Sequence, residues 1–396
     1  MLGKEWQRLL FGPYGLGDLS CSAEMPVPLI DLTRNKAQLA EIEEAVVRVV
    51  RSGGYVLGPE VENLETELTQ YIGTKHALSL SSGTDALLLP LMAIGIGPGD
   101  EVVLPNYSFF ATAGVVARLG ATPVFVDSEP TFKNIDPQRL DEALKNCKRP
   151  KAVMAVHLFG SACDVDAIVK ICKAHSVPLI EDAAQAIGTK YQGRMLGGHG
   201  LCAGWSTFPT KNFGGIGDGG FLTTNDTEFF EKCKLMRNHG MAEQYLHNYI
   251  GGNFRMDAIQ AAALRVKLRG MEEVTEVRRQ NAANYRELFA EADLLGWATL
   301  PTEMDRHAYH QFVTHVPQEQ RDPAIAHLRQ QGIGCAVYYP VPFHRQPCFE
   351  YLGCDGKDFP VSEEASRTAL ALPIFQGLTQ AEQIDVVGAL AKFVKQ

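Results

Sequence analysis

The sequence predicts an α/β protein with a mostly parallel, doubly wound sheet and a smaller α+β unit towards its C-terminus. Three observations carry this. The β-rich runs Glu101–Leu104 and Thr122–Val126 flank a helical stretch near 111–119, and Lys151–His157 and Val177–Ile180 flank another near 165–175. Such alternation belongs to parallel sheets covered by helices on both faces. A long helical pattern from Met256 to about Ala292, with a kink expected at Gly270, reads as a connector, and beyond Trp297 the alternation stops. The 396 residues suffice for one large and one smaller domain. The expected division is a loosely ordered extension over 1–27, a large domain over 28–270 and a small domain over 271–396.

In chain order, residues 36–52 carry Leu39, Ile42, Val46, Val47 and Val50 at helical spacing, and Gly53-Gly54 stops the helix. A second helix is expected over 58–71. His76–Leu80 reads as a short apolar strand, followed by Ser81-Ser82-Gly83-Thr84-Asp85 and another apolar helix. A strand, a turn of small residues and a helix N-terminus can bind an anion through free backbone N–H groups. The same residues equally suit an ordinary capped helix. Pro90 falls inside that helix, where a kink is expected. In the C-terminal part the expected elements are strands over 311–316 and 336–339, a helix over 323–331 and a terminal helix over 380–394.

Two further stretches carry chemistry. Asp182 follows the strand Pro178-Leu179-Ile180, at the strand end where such sheets bind ligands. A helix cap is the other reading. Lys211 lies in Trp205–Gly220, a run almost empty of charge, with Ser206 five positions upstream and Gly214, Gly215, Gly217, Gly219 and Gly220 downstream. An uncharged pocket depresses a lysine's pKa and makes the amine a usable nucleophile. Glycines let backbone approach a ligand closely. A solvated lysine on a surface loop is the competing reading.

Composition narrows the classes. A formal net charge of −9 argues against a nucleic-acid or membrane-surface protein. Nine scattered cysteines without a C-x-x-C pair make neither a disulfide framework nor a zinc ribbon, and they suit a reducing cytoplasm. No metal site is expected. No apolar run approaches the ~20 residues that span a bilayer. Leu9–Phe11 is too short for a signal-peptide core, and Met25, just before the first patterned segment, is an alternative start.

A helix N-terminus for a phosphate, an acid at a strand end and a lysine beyond it meet the needs of pyridoxal 5′-phosphate (PLP). The lysine forms the Schiff base, and the acid keeps the ring nitrogen protonated so that the ring acts as an electron sink. The chain resembles the DegT/DnrJ/EryC1/StrS family of sugar aminotransferases, within the fold-type I PLP enzymes. The matching stretches are SSGTDALLL (81–89), GPGDEVVLPNYSFFAT (97–112), GATPVFVD (120–127), IEDAAQAIG (180–188), STFPTKNFGGIGDGG (206–220), RNHGM (237–241), GGNFRMDAIQAA (251–262) and YYPVPFHRQP (338–347).

The resemblance implies roles. Lys211 would hold the cofactor and shuttle the proton, Asp182 would pair with the ring nitrogen, and Gln185 would bond the ring hydroxyl. Phe109 would stack on the ring. Gly83, Thr84 and Ser206 would hold the phosphate, joined by Asn253 from a neighbouring subunit, which makes a homodimer obligatory. His239, Arg255, Tyr338, Tyr339 and His344 would line the substrate side. Read without the family, an exposed Arg or His is usually solvated and a tyrosine pair usually packs. Where some members carry histidine and dehydrate, this chain keeps Lys211, which favours transamination.

The expected reaction moves an amino group from L-glutamate to a keto group on a nucleotide-linked sugar. Alternatives are an aminotransferase for keto-cyclitols or amino acids, with Arg345 or Arg367 as a carboxylate clamp, and a PLP-binding regulator without turnover. A nucleotide diphosphate calls for cations at the mouth of the site, with Arg237, His239, Arg255, His344 and Arg345 as candidates.

Overall fold

The computed structural model describes residues 26–395, so the expected extension lies, up to residue 25, outside the described residues. Two helices lead in. In α1 (Lys36–Ser52) the Asn35 side chain accepts from Gln38 N–H, and Gly53 closes the C-terminus at φ 70°. Then α2 (Pro59–Ile72) starts on a proline, whose missing N–H would have no helical partner there.

The sheet is assembled from β1 (His76–Leu80), β2 (Glu101–Pro105), β3 (Thr122–Val126), β4 (Pro150–Val156), β5 (Leu179–Asp182), β6 (Cys202–Ser206) and β7 (Gly220–Thr224). Their spatial order is β1-β7-β6-β5-β4-β2-β3. The pairs from β3 through β6 are parallel, and β7 runs antiparallel to both β6 and β1. The carboxyl ends of β1 through β6 therefore share one edge.

Side-chain alternation explains the two covered faces. Val103, Val153, Ala155 and Leu179 belong to one core cluster. Their sequence neighbours Val102, Leu104, Ala152, Met154 and Ile180 belong to the cluster on the opposite face. Burying each Val, Ile or Leu side chain stabilises the sheet by about 1.5–3 kcal/mol. Helices cover these faces: α3 (Gly83–Ala93), α4 (Ala111–Arg118), α5 (Pro137–Asn146), α6 (Val165–Ala174), α7 (Thr227–Arg237) and α8 (Ala258–Leu268). The inner stripe of α1 (Ile42, Ala45, Val49) packs on Ala258, Ala262, Ala263 and Val266 of α8.

Pro90 stays within a continuous α3. Its missing N–H leaves the Ala86 carbonyl without its usual i+4 donor. That carbonyl faces Gly204 of β6, where an added Cβ would sit 2.8 Å from the oxygen and 2.7 Å from a Leu87 methyl. Glycine at 204 is what lets this helix lie so close to the sheet.

The expected kink at Gly270 is a break: α8 ends at Leu268, and α9 (Met271–Glu291) starts afresh, with Val274 N–H donating to Gly270 O. The C-terminal part adds β8 (Phe312–His315), α10 (Gln318–Gln330), α11 (Pro360–Thr368), β9 (Ala369–Leu372) and α12 (Gln380–Val394). Tyr285, Phe289, Phe312, Leu328, Leu370 and Leu390 form a separate core, which also takes in Val27. The helix expected from Pro323 begins at Gln318, with the proline in its second turn. The strand expected over 336–339 shrinks to a bridge between Ala336 and Ala371. The backbones of Tyr338 and Tyr339 are instead taken up by the Tyr107 hydroxyl, which donates to Tyr338 O and accepts from Tyr339 N–H, both at 2.6 Å. Among the described residues no helix is long and apolar enough to cross a membrane.

Candidate active site

The turn from β1 into α3 is built as an anion cradle. Ser82 caps the helix by accepting from Asp85 N–H at 3.0 Å, and the Asp85 carboxylate accepts from the Ser81 and Ser82 hydroxyls. The N–H groups of Gly83 and Thr84 precede the first intrahelical bond. A Cβ on Gly83 would lie 2.5 Å from Ser206 Cβ, so glycine is what brings Ser206, the last residue of β6, against the helix end. Gly220 makes the matching approach from β7, where a Cβ would lie 2.5 Å from the Ser82 carbonyl.

Lys211 stands on the loop leaving β6. Thr207 N–H donates to Gly219 O and Gly215 N–H to Thr207 O, which closes the loop on itself. From α8, Gln260 Oε1 accepts from Ile216 N–H and Lys267 Nζ donates to Gly214 O. Burial of the Lys211 amine pushes its pKa down to about 8, against the pull of the Asp182 charge.

Asp182 ends β5 and is 4% exposed. Its Oδ2 accepts from the Thr112 hydroxyl at 2.8 Å and its Oδ1 from Ala184 N–H at 3.2 Å. Burial raises its pKa, opposed by these bonds and by the charge of Lys211. The preceding residue titrates the other way. Successive strand residues face opposite sides, and Glu181 accepts there from the N–H groups of Gly197, His199 and Gly200 and from His157 Nε2. Although burial alone would raise it, the His157 bond and these amides bring Glu181 down to about 2. Because His157 Nδ1 accepts from Cys163 N–H, the ring reaches Glu181 as a neutral donor.

Beside Asp182, Gln185 is held at both ends of its amide: Oε1 accepts from Phe159 N–H at 2.6 Å, and Nε2 donates to the Tyr339 hydroxyl at 2.8 Å. Phe109, 51% exposed, lies with its ring centre 6.3 Å from that of Tyr339. Tyr338 stands next to it, its carbonyl held by Tyr107. Thus Gly83 meets Ser206 across the ends of β1 and β6, and Asp182, Gln185, Tyr339 and Phe109 gather at the neighbouring strand ends.

Asn253, Arg255 and His239 form a second group. Asn238 and Asn253 make a backbone bridge, Arg255 Nη1 donates to Asn238 Oδ1 at 2.7 Å, and His239 N–H donates to Gly252 O. This group reaches the cradle through backbone, Phe254 O accepting from Ser81 N–H. Exposed Tyr245, Leu246 and Ile250 stand nearby in sequence. Three of the expected mouth cations are engaged elsewhere. Arg237 is buried and pairs with Glu65 at 2.6 Å. Arg345 and His344 Nε2 both donate to the Glu363 carboxylate, where Arg367, the other clamp candidate, joins them. His344 Nδ1 accepts from Asn106 Nδ2 at 2.8 Å, so the ring is neutral and both nitrogens are bonded within the chain.

Two residues escape sequence reading. Thr112 ends one of the matching stretches without a role assigned to it, and only the fold brings it to Asp182. His310 lies in the C-terminal part, yet its Nδ1 is 3.3 Å from Asn212 Oδ1, next to Lys211. Burial, then the charges of Lys211 and Arg278, keep it neutral.

A seven-stranded, mostly parallel sheet with a buried acid, a low-pKa lysine and an anion cradle at one edge defines a fold-type I PLP-dependent transferase. The cradle glycines and the chemistry of Lys211 and Asp182 fit that cofactor. The chain belongs to the DegT/DnrJ/EryC1/StrS aminotransferase family, whose model matches residues 36–391. It is 44% identical to a pleiotropic regulatory protein of Geobacillus stearothermophilus over 94% of this chain and 99% of that one. It is 36% identical to the dTDP-3-amino-3,4,6-trideoxy-alpha-D-glucose transaminase of Streptomyces venezuelae, over 96% and 99%. Among solved structures, S. venezuelae DesV in complex with a ketimine intermediate superposes with a TM-score of 0.88 at 36% identity, covering 93% of this chain and 99% of that one.

Proposed function

We propose that this aminotransferase moves an amino group from L-glutamate to the keto carbon of a nucleotide-linked sugar, in the cytoplasm and as a homodimer. The observation that carries the reading is the low-pKa Lys211 held within the field of the buried Asp182 at the strand edge. The bound cofactor supplies an electron-withdrawing ring that stabilises charge developing next to the transferred nitrogen. Lys211 would hold the cofactor and would carry the proton moved during amine transfer. Asp182 would accept from the ring nitrogen, Gln185 would bond the ring hydroxyl, and Phe109 would cover a ring face. Gly83, Thr84 and Ser206 take the phosphate. Residues 28–270 form the cofactor-binding domain and 271–396 the smaller one, a division supported by the separate C-terminal core.

For the substrate, Arg255 supplies positive charge and His239 a polar ring, with Tyr338, Tyr339 and His344 bordering the sugar side. The nucleotide contributes affinity and positions the reacting carbon. A free keto sugar should therefore be a far poorer acceptor than its nucleotide-linked form, and the matching nucleoside diphosphate should compete with the acceptor. Equal turnover of free sugars or keto-cyclitols would transfer the assignment to the cyclitol alternative.

Asn253 is assigned to the partner's phosphate site. Its side chain is exposed and has no partner among the described residues, and the exposed apolar 245–250 segment beside it offers a surface for a second copy. Cofactor affinity should then fall on dilution into monomers. Mixing Lys211→Ala with Asn253→Ala subunits should restore part of the activity, since one site of the mixed dimer is intact. A fully active monomer would contradict this.

The name of the 44% identical relative favours a second reading, a PLP-binding regulator without turnover. Incubation with L-glutamate decides between them: an aminotransferase converts its bound cofactor to the pyridoxamine form, and a regulator does not.

A further inference from the structure

We propose that Thr112 is a positioning residue that keeps Asp182 ionised and aimed at the cofactor's ring nitrogen. The proposal rests on the role given to Asp182 above. Asp182 has no cationic nitrogen within 4.0 Å among the described residues, although the charge of Lys211 reaches it and the Tyr339 hydroxyl shares its surroundings. Burial without an ion pair drives a carboxylate towards its protonated form. A protonated Asp182 would present a donor where an acceptor is needed. Two hydrogen bonds oppose this: the one from Ala184 N–H, at 3.2 Å, and the shorter one from Thr112.

The geometry fixes the direction of the Thr112 bond. A hydroxyl has one proton and an ionised carboxylate has none, so Thr112 donates to Asp182 Oδ2 at 2.8 Å. Ser108 Oγ, 3.0 Å from Thr112 Oγ1, must then donate to Thr112. Donors chained in this way polarise one another and strengthen the terminal bond. Thr112 is 0% exposed, so bulk water does not replace its hydroxyl, and β-branching restricts its rotamers. It sits in the first turn of α4, with its N–H donating to Phe109 O, so the helix that orients Asp182 also carries the segment presenting Phe109. Two of the roughly four lone-pair sites of the carboxylate are used, and the remainder serve the ring nitrogen.

Thr112→Val keeps the shape and removes the donor; Thr112→Ser keeps the donor. The readout is the carbonyl stretch of protonated Asp182 in the infrared, assigned with Asp182→Asn and followed against pH in the full-length chain freed of cofactor. Losing a hydrogen bond to a charged group should raise the protonation midpoint in Thr112→Val by about one to two pH units. Thr112→Ser should return it towards the parent value. In the loaded enzyme kcat should fall about tenfold to a hundredfold while KM for both substrates holds. The infrared readout also separates the two readings, because unimpaired turnover in Asp182→Asn would sink the ring-nitrogen role without moving the midpoints. If Thr112→Val does not fold, Ser108→Ala tests the same chain and should shift the midpoint in the same direction by less. Equal midpoints in the parent and Thr112→Val, or in the parent and Ser108→Ala, overturn the proposal.

Discussion

Lys211→Ala should lower amine transfer at least about a thousandfold, because one substitution removes both the anchoring nucleophile and the proton carrier. The structure says why this lysine is suited to both tasks. Burial brings its amine to a pKa of about 8, so at neutral pH a useful fraction is unprotonated. The neighbouring cation Lys267 donates to Gly214 O and is committed to holding the loop. Lys211→Arg keeps the charge but not the nucleophile, and should be as inactive as the alanine variant. The check is borohydride reduction followed by peptide mapping: the cofactor should be fixed to Lys211 in the parent protein and to no residue in either variant. Attachment to Lys267 or any other lysine would end the assignment. The rate of cofactor attachment to the emptied protein should rise with pH and level off above about 8, the sign required for an amine that must lose its proton before it reacts.

Asp182→Asn should lower turnover about a hundredfold to ten-thousandfold while the cofactor still binds. The amide preserves the volume and can still accept from Thr112, but the negative charge that holds a ring nitrogen protonated is gone. The cradle proposed for the phosphate, at Gly83, Thr84 and Ser206, is built from other strand ends, so cofactor retention should change little. Stopped-flow measurement of the two half-reactions provides the check, and both should slow together. Near-parent rates would remove the electron-sink role. Two adjacent carboxylates occupy one strand, but Glu181 has three backbone amides and His157, and it is an ion built into the structure. Asp182 has fewer donors and a raised pKa, which leaves it responsive to what lies in the site.

Much of this was legible in the sequence. Hydrophobic alternation marked the strands and helices of the large domain because one face or both must be buried, and burial leaves a periodic trace in a single stretch of chain. The glycine-rich loop, the small-residue turn at 81–84 and the acid at 182 were visible for the same local reason: each needs particular residue types at close spacing. Periodicity does not encode strand direction, and the antiparallel course of β7 emerged only from pairing. Tyr338 and Tyr339 look like a strand by β-propensity, yet the Tyr107 hydroxyl, 231 and 232 residues away in sequence, claims their backbone.

The fates of the cations were equally hidden. The Arg237 side chain turns inward to Glu65, and Arg345 and His344 meet the half-buried carboxylate of Glu363, because a charge taken out of water must find its partners and they lie on other elements. The order of elements, the strand edge that carries the site and the presence of its lysine, acid and cradle were thus determined by the sequence itself. Which hydroxyl reaches Asp182 across 70 residues, and which charged groups remain free to meet a substrate, was decided only when topology brought distant segments within the few ångströms over which hydrogen bonds act.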